Sequence, residues 1–431
     1  MGVSNDRLHT QREQWFAPER SPRSFLFLQG PLSSLYARVA DQLEAAGHPV
    51  SRINLCIGDR LYWRRSGAVN FRGRIEAFEA FIERHIAARG ISDVVMHGEC
   101  RAYHTIAAKV ATQAGARVFV TELGYLRPDW MTVDRDGTAA ASHFPRDPHT
   151  IARLAALSGP VDLAPRYPSH FIWVAVPDVI YNLANTFLWF LYPHYRRHTV
   201  DWPPLEYAAW LSRLATSRRR GRNAGREIAT ITASDRPIFV LPMQLEGDFQ
   251  IRARSPFEGQ ADALDQIAAS FAAHAPPEAA LVIKTHPLDN GLMRWRRQIE
   301  RVRRTHSLDG RLRFLDGGHL PTLIERAHGV VTINSSAGID AIRMGIAVKP
   351  RAPALYDIAG ITHQGPLNTF WSAPQRPDPL LARQFIEALA GSVLVRGTIY
   401  SRDGLDAAVR NIADAILSNR AERAIRAADA P

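Results

Sequence analysis

With 431 residues, 46% of them hydrophobic and 22% charged, the chain has the composition of a globular protein and the length of two domains. Its two cysteines exclude a disulfide framework and favour a reducing compartment. No apolar stretch is long enough to span a bilayer, and none at the N-terminus predicts a secretory signal. A net charge of +11 indicates an anionic partner, which is a nucleotide, an anionic membrane or a nucleic acid.

The first part of the chain alternates between predicted strands and helices. Residues 1–23 are polar and are predicted to be flexible. Short apolar runs then predict strands, and amphipathic stretches, two of which end at a glycine, predict helices. The strands are predicted at residues 24–29, 48–55, 92–97 and 117–121, and the helices at residues 35–46, 74–88 and 101–114.

The middle of the chain breaks this pattern. Residues 125–165 contain several prolines and are predicted to be rich in loops, and residues 170–226 combine aromatic side chains with arginines. A second alternation starts with a strand at residues 237–242. Further strands are predicted at residues 279–284, 312–315, 329–333 and 347–349, and helices at residues 262–274, 295–305, 320–327, 336–344 and 406–418.

Two doubly wound halves predict an α/β, GT-B-like architecture, in which two Rossmann-like domains face each other across a cleft. In that layout the second half holds a nucleotide sugar and the first supplies the acceptor side. The predicted segments are a flexible N-terminal segment (1–23), a first Rossmann-like domain (24–169), an aromatic and basic connecting region (170–232), a second Rossmann-like domain (233–400) and a C-terminal helix and tail (401–431).

The most informative stretch is residues 330–338, where a β-branched run ends in an amide, two hydroxyls and a glycine before a predicted helix. Hydroxyls and backbone N–H groups at a helix start form an anion site without a metal. Residues 284–287 end a second strand with a histidine, and residues 316–321 start a helix at the same edge. The candidate nucleotide-binding residues are Gln244, His286, His319, Asn334, Ser335, Ser336 and Gly338.

Polar side chains also follow the first strand of the second half, where Asp248, Gln250, Arg254 and Ser255 form a dense polar loop. This loop either lines the expected cleft or is an ordinary solvated loop.

Two carboxylates follow adjacent strands of the first half: Glu99, close to Arg101, and Glu122, close to Arg127. Sugar transfer needs a carboxylate as base or as nucleophile. The alternative is that each acid pairs with its neighbouring arginine. Further candidates for the cleft are Gln29, Gly30 and Asp59, although Gln29 and Gly30 taken alone are more typical of a plain strand-to-helix turn.

Several motifs are absent from the sequence. It has no Walker A loop, no Gly-x-Gly-x-x-Gly fingerprint, no Cys/His spacing for zinc and no Asp-x-Asp of metal-dependent sugar transferases. Neither a metal nor another cofactor is therefore expected.

Taken together, the motifs resemble those of bacterial capsule polysaccharide biosynthesis proteins of the KpsS/LipB type. The likeness runs in order over residues 25–400, and several motifs in one order are more specific than any single motif. They are residues 27–31, 52–54, 58–59, 98–104, 122–128, 255–257, 286–287, 319–323 and 332–336.

The resemblance implies a retaining β-Kdo transferase that uses CMP-Kdo and a lysophosphatidylglycerol acceptor at the cytoplasmic face of the inner membrane. It implies that His286 binds the donor phosphate and assists CMP departure, and that Ser335 and Ser336 hydrogen-bond that phosphate. Glu122 is the implied catalytic carboxylate, with Glu99 as its rival. Such an enzyme is cytoplasmic and peripheral, and other capsule synthesis or export proteins are possible partners.

Two positions depart from the family pattern. Related Kdo transferases have Glu-Asp-Gly where this chain has Glu122, Leu123 and Gly124, so the carboxylate role does not transfer directly. Ser336 stands where a threonine is expected, which keeps the hydroxyl.

The tryptophans and arginines of residues 171–226 suit an anionic lipid surface, or they are core and solvated linker. Two rival functions remain: a GT-B glycosyltransferase with a UDP- or GDP-sugar donor, and a non-catalytic basic scaffold for membrane or nucleic acid. The ordered motifs favour the enzyme over the scaffold, and no nucleic-acid partner is expected.

Overall fold

The computed structural model describes residues 22–197, 202–247, 251 and 254–429. The described chain forms two compact units. The first holds residues 22–145, 149–197 and 384–429, and the second holds residues 146–148 and the described residues from 202 to 383.

Within the described residues, the first unit is built on a seven-stranded sheet with the strand order β12-β6-β5-β4-β1-β2-β3. Strands β1 to β5 are parallel, whereas β6 is antiparallel to both β5 and β12. The strands are β1 (Phe25–Phe27), β2 (Val50–Asn54), β3 (Ala68–Asn70), β4 (Asp93–His97), β5 (Arg117–Leu123), β6 (Trp130–Arg135) and β12 (Leu394–Arg396). The helices are α1 (Leu35–Ala45), α2 (Ile57–Tyr62), α3 (Phe78–Arg89), α4 (Ala102–Gln113), α5 (Pro148–Ser158), α6 (Phe171–Phe187), α14 (Arg402–Leu417) and α15 (Arg420–Asp429).

Both faces of this sheet are covered, which explains why β1 is apolar throughout. Phe25 and Phe27 point to the face covered by α1 and α14, and Leu26 points to the face covered by α3 and α4. Side chains of a strand alternate between faces, so a strand buried on both sides has no polar position.

The second unit contains a five-stranded, fully parallel sheet among the described residues, with the strand order β11-β10-β7-β8-β9. The strands are β7 (Ile238–Pro242), β8 (Ala280–Lys284), β9 (Leu312–Leu315), β10 (Gly329–Thr332) and β11 (Ala347–Pro350). The helices are α7 (Pro203–Thr232), α8 (Gln260–His274), α9 (Trp295–Thr305), α10 (Leu320–Arg326), α11 (Ala337–Arg343) and α12 (Leu367–Phe370), and α13 (Pro379–Gly391) returns the chain to the first unit.

The prediction of two doubly wound, Rossmann-like α/β halves is confirmed by these two sheets. Helix α9 and strand β9 have the predicted bounds, and the other predicted strands and helices are each present with shifted ends. The secondary structure of strongly periodic segments is determined by their local sequence, which is why it is predicted well.

The prediction that residues 125–165 are rich in loops missed one strand and one helix. This segment contains β6 and α5. Strand β6 forms because it pairs with β5, with Thr132 opposite Glu122 and Asp134 opposite Val120. The sequence pattern does not reveal such a strand among prolines, because the strand is stabilised by pairing with its neighbour and not by its own β-propensity.

The predicted segment boundaries also need correction. Residues 384–429 cluster with the first unit, so neither the end of the second domain at 400 nor a separate C-terminal tail matches the structure. The last strand is β12, which adds an edge to the first sheet. The connecting region is split, because α6 belongs to the first unit and α7 to the second.

Arg23 belongs to the folded first unit and not to a flexible segment. Its guanidinium is buried and forms two hydrogen bonds of 2.6 and 3.0 Å to Asp93. It also donates to the carbonyl of Ile416 at 2.8 Å, which links the N-terminal strand to α14. No helix among the described residues is long and apolar enough to cross a membrane.

Candidate functional site

All strands of the second sheet are parallel, so the residues that follow them meet at one edge. The chain order reverses between β7 and β10, and such a switch point is where open α/β sheets bind ligands. Gln244 follows β7 by two residues, and Asn334 and Ser335 follow β10. Three of the predicted nucleotide-binding residues therefore lie at the switch point.

Gln244 and Asn334 are in direct contact there. The Gln244 side-chain amide donates to Asn334 Oδ1 at 3.0 Å, and the Asn334 backbone N–H donates to Gln244 Oε1 at 3.3 Å. Gln260, which the sequence analysis missed, fixes the Gln244 backbone through hydrogen bonds of 2.8 and 2.7 Å. These amides hold both strand ends in register and present further donors and acceptors to a ligand.

Ser335 is held by the turn that it begins. Its backbone N–H donates to Thr332 Oγ1 at 2.8 Å, and its hydroxyl accepts the backbone N–H of Ala337 at 3.2 Å. The Tyr356 hydroxyl donates to the Ser335 carbonyl at 2.7 Å. We call Gln244, Gln260, Asn334, Ser335 and Tyr356 the switch-point cluster.

The need for a glycine at position 338 comes from its contact with Tyr356, a residue that no sequence motif had singled out. A Cβ atom on Gly338 would lie 2.5 Å from the ring and hydroxyl of Tyr356, so only glycine fits. Burial raises the pKa of Tyr356 above its ordinary range, which keeps the hydroxyl protonated as a donor. Gly338 thus acts by admitting Tyr356. The following helix α11 has seven residues, and Ser336 precedes its first residue.

His286 follows β8, the neighbour of β7 in the sheet. Its Nδ1 atom accepts the backbone N–H of Leu288 at 3.0 Å. When the ring is neutral, this acceptor role assigns the proton to Nε2. The histidine is therefore oriented as an Nε2–H donor at the same edge as the switch-point cluster.

The far side of this edge, beyond β8, is occupied by α7. Arg213 and Arg220 on α7 form ion pairs with Asp316, at 2.8 and 3.3 Å. Gly318 packs so closely under α7 that a Cβ atom would lie 2.5 Å from Ile228. His319 lies after this turn, is exposed and shares a 3.0 Å hydrogen bond with Thr322.

The polar loop after β7 is described only in part. Asp248 and Gln250 lie outside the described residues. The Ser255 hydroxyl donates to the Ile251 carbonyl at 2.7 Å and accepts the Phe257 N–H at 3.3 Å, so it closes a local turn. One missed residue of this loop is Glu246, whose Oε2 atom is buried without a hydrogen-bond partner among the described residues.

In the first unit, the edge after β1 carries a buried polar network around Gln29. The Gln29 amide donates to the hydroxyls of Tyr181 and Tyr195, both at 3.0 Å, and Tyr181 also contacts Cys56 Sγ at 3.2 Å. Burial raises the pKa of the Cys56 thiol to about 12, so this cysteine is not a nucleophile. Gln29 therefore anchors α6 to the sheet.

Gly30 and Asp59 line a small cavity in the same unit. A Cβ atom on Gly30 would lie 2.8 Å from the Tyr36 ring, so this position requires glycine. Asp59 accepts the backbone N–H of Leu55 at 2.8 Å and lies 3.8 Å from the Arg52 guanidinium, so it caps α2. The cavity lining includes Gly30, Ser33, Tyr36, Arg52, Asp59 and Tyr181.

The structure distinguishes the two predicted carboxylates. Glu99 follows β4, is only 6% exposed, and accepts hydrogen bonds from Thr138 at 3.2 Å and from the Cys100 thiol at 3.4 Å. Each of the two Glu99 carboxylate oxygens therefore accepts one hydrogen bond, as is typical of a carboxylate that stabilises the fold.

Glu122 lies near the end of β5 and is less buried than Glu99. Gly98, at a φ of 71°, leaves room for it, because a Cβ atom there would lie 2.8 Å from Glu122 Oε1. Gly124 is also required, since a Cβ atom would lie 2.5 Å from the Trp130 carbonyl oxygen. Leu123 packs against the core on the opposite face of the strand, where an aspartate would be buried among apolar side chains.

Asp134 is a third carboxylate near these two, and the sequence analysis missed it. It lies on β6, on the same face of the sheet as Glu122, because the paired residues Val120 and Asp134 share a face with Glu122 and Thr132. Burial raises the pKa of Asp134 to about 7, against hydrogen bonds from Ser142 at 2.5 Å and from the Arg135 N–H at 2.8 Å.

Tyr125 lies close enough to the three carboxylates for their charges to act on its hydroxyl. Burial raises its pKa well above the ordinary value, and the charges of Asp134, Glu122 and Glu99 act in the same direction. We call Glu99, Glu122, Tyr125 and Asp134 the acidic cluster. The predicted partner residues lie beside it: Arg101 immediately precedes α4, and Arg127 is exposed in the turn between β5 and β6.

No group of three or more His, Cys, Asp or Glu side chains within the described ranges is arranged to hold a metal ion.

The fold and the two strand-end clusters define a two-unit α/β protein with polar sites at its sheet edges. A family model described as capsule polysaccharide biosynthesis protein matches residues 92–400. The chain belongs to this family.

Two curated relatives cover nearly the whole chain. The capsule polysaccharide export protein KpsS of Escherichia coli is 29% identical over 390 residues, which are 88% of this chain and 97% of that protein. The capsule polysaccharide modification protein LipB of Neisseria meningitidis serogroup A is 30% identical over 389 residues, 89% of this chain and 93% of that protein.

Solved structures are more distant. KpsC of Thermosulfurimonas dismutans, described as a beta Kdo 2,7 transferase, is 15% identical with a TM-score of 0.43 and covers 91% of this chain and 99% of its own. HepE of Anabaena in complex with UDP is 12% identical with a TM-score of 0.34, covering 91% of this chain and 99% of its own. Neither likeness says what this chain binds.

Proposed function

We propose that this protein is a glycosyltransferase of capsule polysaccharide synthesis. It transfers β-Kdo from CMP-Kdo, with retention, to a lysophosphatidylglycerol-type lipid acceptor, and needs no metal ion. Its membership of the capsule family supports the pathway. The observation that carries the proposal is the switch-point cluster, which offers amides and a hydroxyl where an α/β sheet binds a nucleotide.

CMP leaves as a phosphate monoester, and its developing negative charge must be stabilised. The Nε2–H of His286 and the hydroxyls of Ser335 and Ser336 are the neutral donors that we assign to this charge.

Two successive displacements at the anomeric carbon give net retention, as in retaining glycosidases, and we propose this route. In the first, a Glu122 carboxylate oxygen bonds to that carbon while the bond to the phosphate oxygen breaks, and CMP leaves with the electron pair. In the second, the acceptor hydroxyl oxygen displaces the carboxylate and gives its proton to a base. We assign the nucleophile to Glu122 and not to Glu99, because Glu99 is buried and Glu122 is the less buried of the two.

The decisive experiment is CMP release from CMP-Kdo, with and without a lysophosphatidylglycerol acceptor. We expect acceptor-dependent release by the wild type and loss of CMP binding in His286→Ala. Competition by CMP, UDP and GDP distinguishes the donor from the UDP- or GDP-sugar alternative. A protein that ignores all three nucleotides, and binds polyanions with a steep salt dependence, is instead the basic scaffold.

A lipid acceptor places the enzyme at a membrane surface, and α6 supports this location. The helix is inverted: its buried face carries the polar Tyr181, Asn182 and Asn185, and its outward face is apolar. Asn185 accepts the backbone N–H of Gly58 at 3.0 Å. Amphipathic helices of globular proteins normally bury their apolar face, so an outward apolar face indicates a second apolar partner.

The exposed apolar side chains extend beyond the helix into the following turn. Ile172 is 63% exposed, Phe187 69% and Trp189 61%. We call the whole set the aromatic surface; it comprises Phe171, Ile172, Trp173, Val176, Ile180, Phe187, Leu188, Trp189 and Phe190.

The charges around α6 favour an anionic membrane as the occupant of the aromatic surface. Asp178 is the one charged residue of α6, and α2, which packs against α6, carries the exposed Arg60. Arg64 follows α2 and is also exposed. Aromatic side chains beside arginines are typical of segments that lie in the interface of an anionic bilayer. We therefore propose a peripheral location at the cytoplasmic face of the inner membrane.

Vesicle sedimentation tests this location. We expect binding to phosphatidylglycerol vesicles, weaker binding to phosphatidylcholine vesicles, and loss of both when Ile172, Phe187 and Trp189 are changed to serine. Leu211→Ser is the matched control, because Leu211 is 69% exposed on α7 of the second unit. Wild-type protein that stays in solution with either vesicle would assign the aromatic surface to a protein partner of capsule assembly.

A further inference from the structure

Arg351 occupies the second sheet's switch-point edge, and no sequence motif had singled it out. It directly follows β11, the neighbour of β10. Its backbone N–H donates to the carbonyls of Thr332 and Ile333, at 2.8 and 3.0 Å. The residue is thus tied to the strand end that continues into Asn334 and Ser335.

The Arg351 guanidinium is half-buried, and its surroundings hold no counter-charge. Its Nε atom is buried and has no hydrogen-bond partner among the described residues, and no carboxylate of these residues lies within ion-pair distance. Desolvation by burial lowers the pKa of Arg351. A partly desolvated cation with an unpaired buried N–H costs free energy, which a bound anion would recover.

A second cation lies beside it on the same strand. Lys349 is two residues away in β11 and donates to the His363 carbonyl at 3.2 Å. Burial lowers the pKa of Lys349, the charge of Asp357 opposes this effect, and the positive charge of Arg351 adds to it. Two cationic side chains therefore lie close together at this end of the sheet, near one carboxylate, Asp357.

An aromatic ring supports the Arg351 guanidinium. Its Cζ atom lies 5.9 Å from the centroid of Phe257. Phe257 is fixed in an apolar cluster with Ile251, Ala263, Ile333 and Ala352. A guanidinium held over a rigid ring presents its donors in a fixed fork, which suits two phosphate oxygens.

We propose that Arg351 binds the phosphate group of the bound nucleotide. This inference rests on the proposed nucleotide site. The switch-point cluster offers only neutral amides and hydroxyls there, and Arg351 adds a cation. Arg351 is then a binding residue that discriminates a nucleotide from its nucleoside.

Calorimetric titration of the whole protein with CMP and with cytidine tests the proposal. We expect Arg351→Gln to weaken CMP binding roughly 10- to 100-fold, the range of a charge-assisted hydrogen-bond pair, and to leave cytidine binding unchanged. Arg351→Lys keeps the charge without the fork and should fall between the two.

Arg311→Gln is the matched control. Arg311 is also half-buried, has a pKa lowered by desolvation and lies 4.9 Å from the centroid of Phe271. It precedes β9, however, and so lies at the opposite edge of the sheet. Its loss should leave the ratio of CMP to cytidine affinity unchanged, and thermal unfolding checks that each variant is folded.

Each outcome is decisive. An unchanged CMP-to-cytidine ratio in folded Arg351→Gln overturns the role of Arg351 and leaves the proposed function intact. A loss seen with CMP-Kdo but not with CMP would assign the guanidinium to the sugar carboxylate and also overturn the proposal. Wild-type protein that binds no nucleotide would reject the proposed function, and the inference with it.

Discussion

The two sheets share a strand pattern but carry opposite chemistry at their functional edges. Both have the chain reversal typical of a Rossmann-like sheet, with β1 and β4 flanking it in the first unit and β7 and β10 in the second. The first edge collects carboxylates in the acidic cluster, and the second collects amides, a hydroxyl and Arg351. The same topology thus carries acidic groups in one unit and neutral donors with a cation in the other, and we propose bond-making at the first edge and anion binding at the second.

Changing Glu122 to Gln should have the largest effect. We expect CMP release from CMP-Kdo to fall by about 10²- to 10⁴-fold, because an amide cannot replace a nucleophilic carboxylate. CMP affinity should not change, since the proposed nucleotide site lies in the other unit.

Glu99→Gln is the control for this variant, because it removes a charge from the same acidic cluster. It should destabilise the fold while leaving turnover nearly unchanged, because both Glu99 oxygens accept hydrogen bonds within the protein. Equal turnover in Glu122→Gln and the wild type would move the carboxylate role elsewhere.

Asp134 should make the first unit sensitive to pH. Its pKa rises from 3.8 to about 7 on folding, chiefly through burial, so the folded state holds a proton that the unfolded state releases. The resulting stability is present below pH 4 and is lost as pH rises through 7, at about 1.4 kcal/mol per pH unit.

Asp134→Asn removes this dependence. Urea unfolding at pH 5 and pH 8 should show a difference on the order of 3 kcal/mol for the wild type beyond that of the variant. Parallel pH profiles for the two proteins would show that Asp134 is ionised in both states.

Gly338→Ala tests the second edge and should have the smallest effect on stability. The added methyl would lie 2.5 Å from Tyr356, and such overpacking costs about 1–3 kcal/mol. Because Tyr356 holds the Ser335 carbonyl, CMP affinity should fall as well, as measured by calorimetry.

Tyr356→Phe separates the two effects of that substitution. It keeps the ring against Gly338 but removes the hydrogen bond to Ser335, so it should lower CMP affinity with little loss of stability. Unchanged CMP affinity in both variants would detach Ser335 from the nucleotide site.

Within the described part of the chain, the sequence by itself determined the five strands of the second sheet, four of the seven strands of the first sheet (β1, β2, β4 and β5) and much of the candidate site. Buried strands and amphipathic helices can be predicted from the local spacing of apolar residues. The residue that follows a parallel strand then lies at the ligand-binding edge of the sheet. Gln29, Glu99, Gln244, His286 and Asn334 could therefore be singled out without a structure.

Tertiary structure alone decided the rest. Strand β12, three residues long, exists because it pairs with β6, and it moved the C-terminal helices into the first unit. Asp134, Tyr356 and Arg351 joined the sites through pairing and packing between distant residues. The physical reason is that periodicity acts over one helix turn or one strand, whereas burial, ion pairing and the environment of a charge depend on neighbours that only the folded chain brings together.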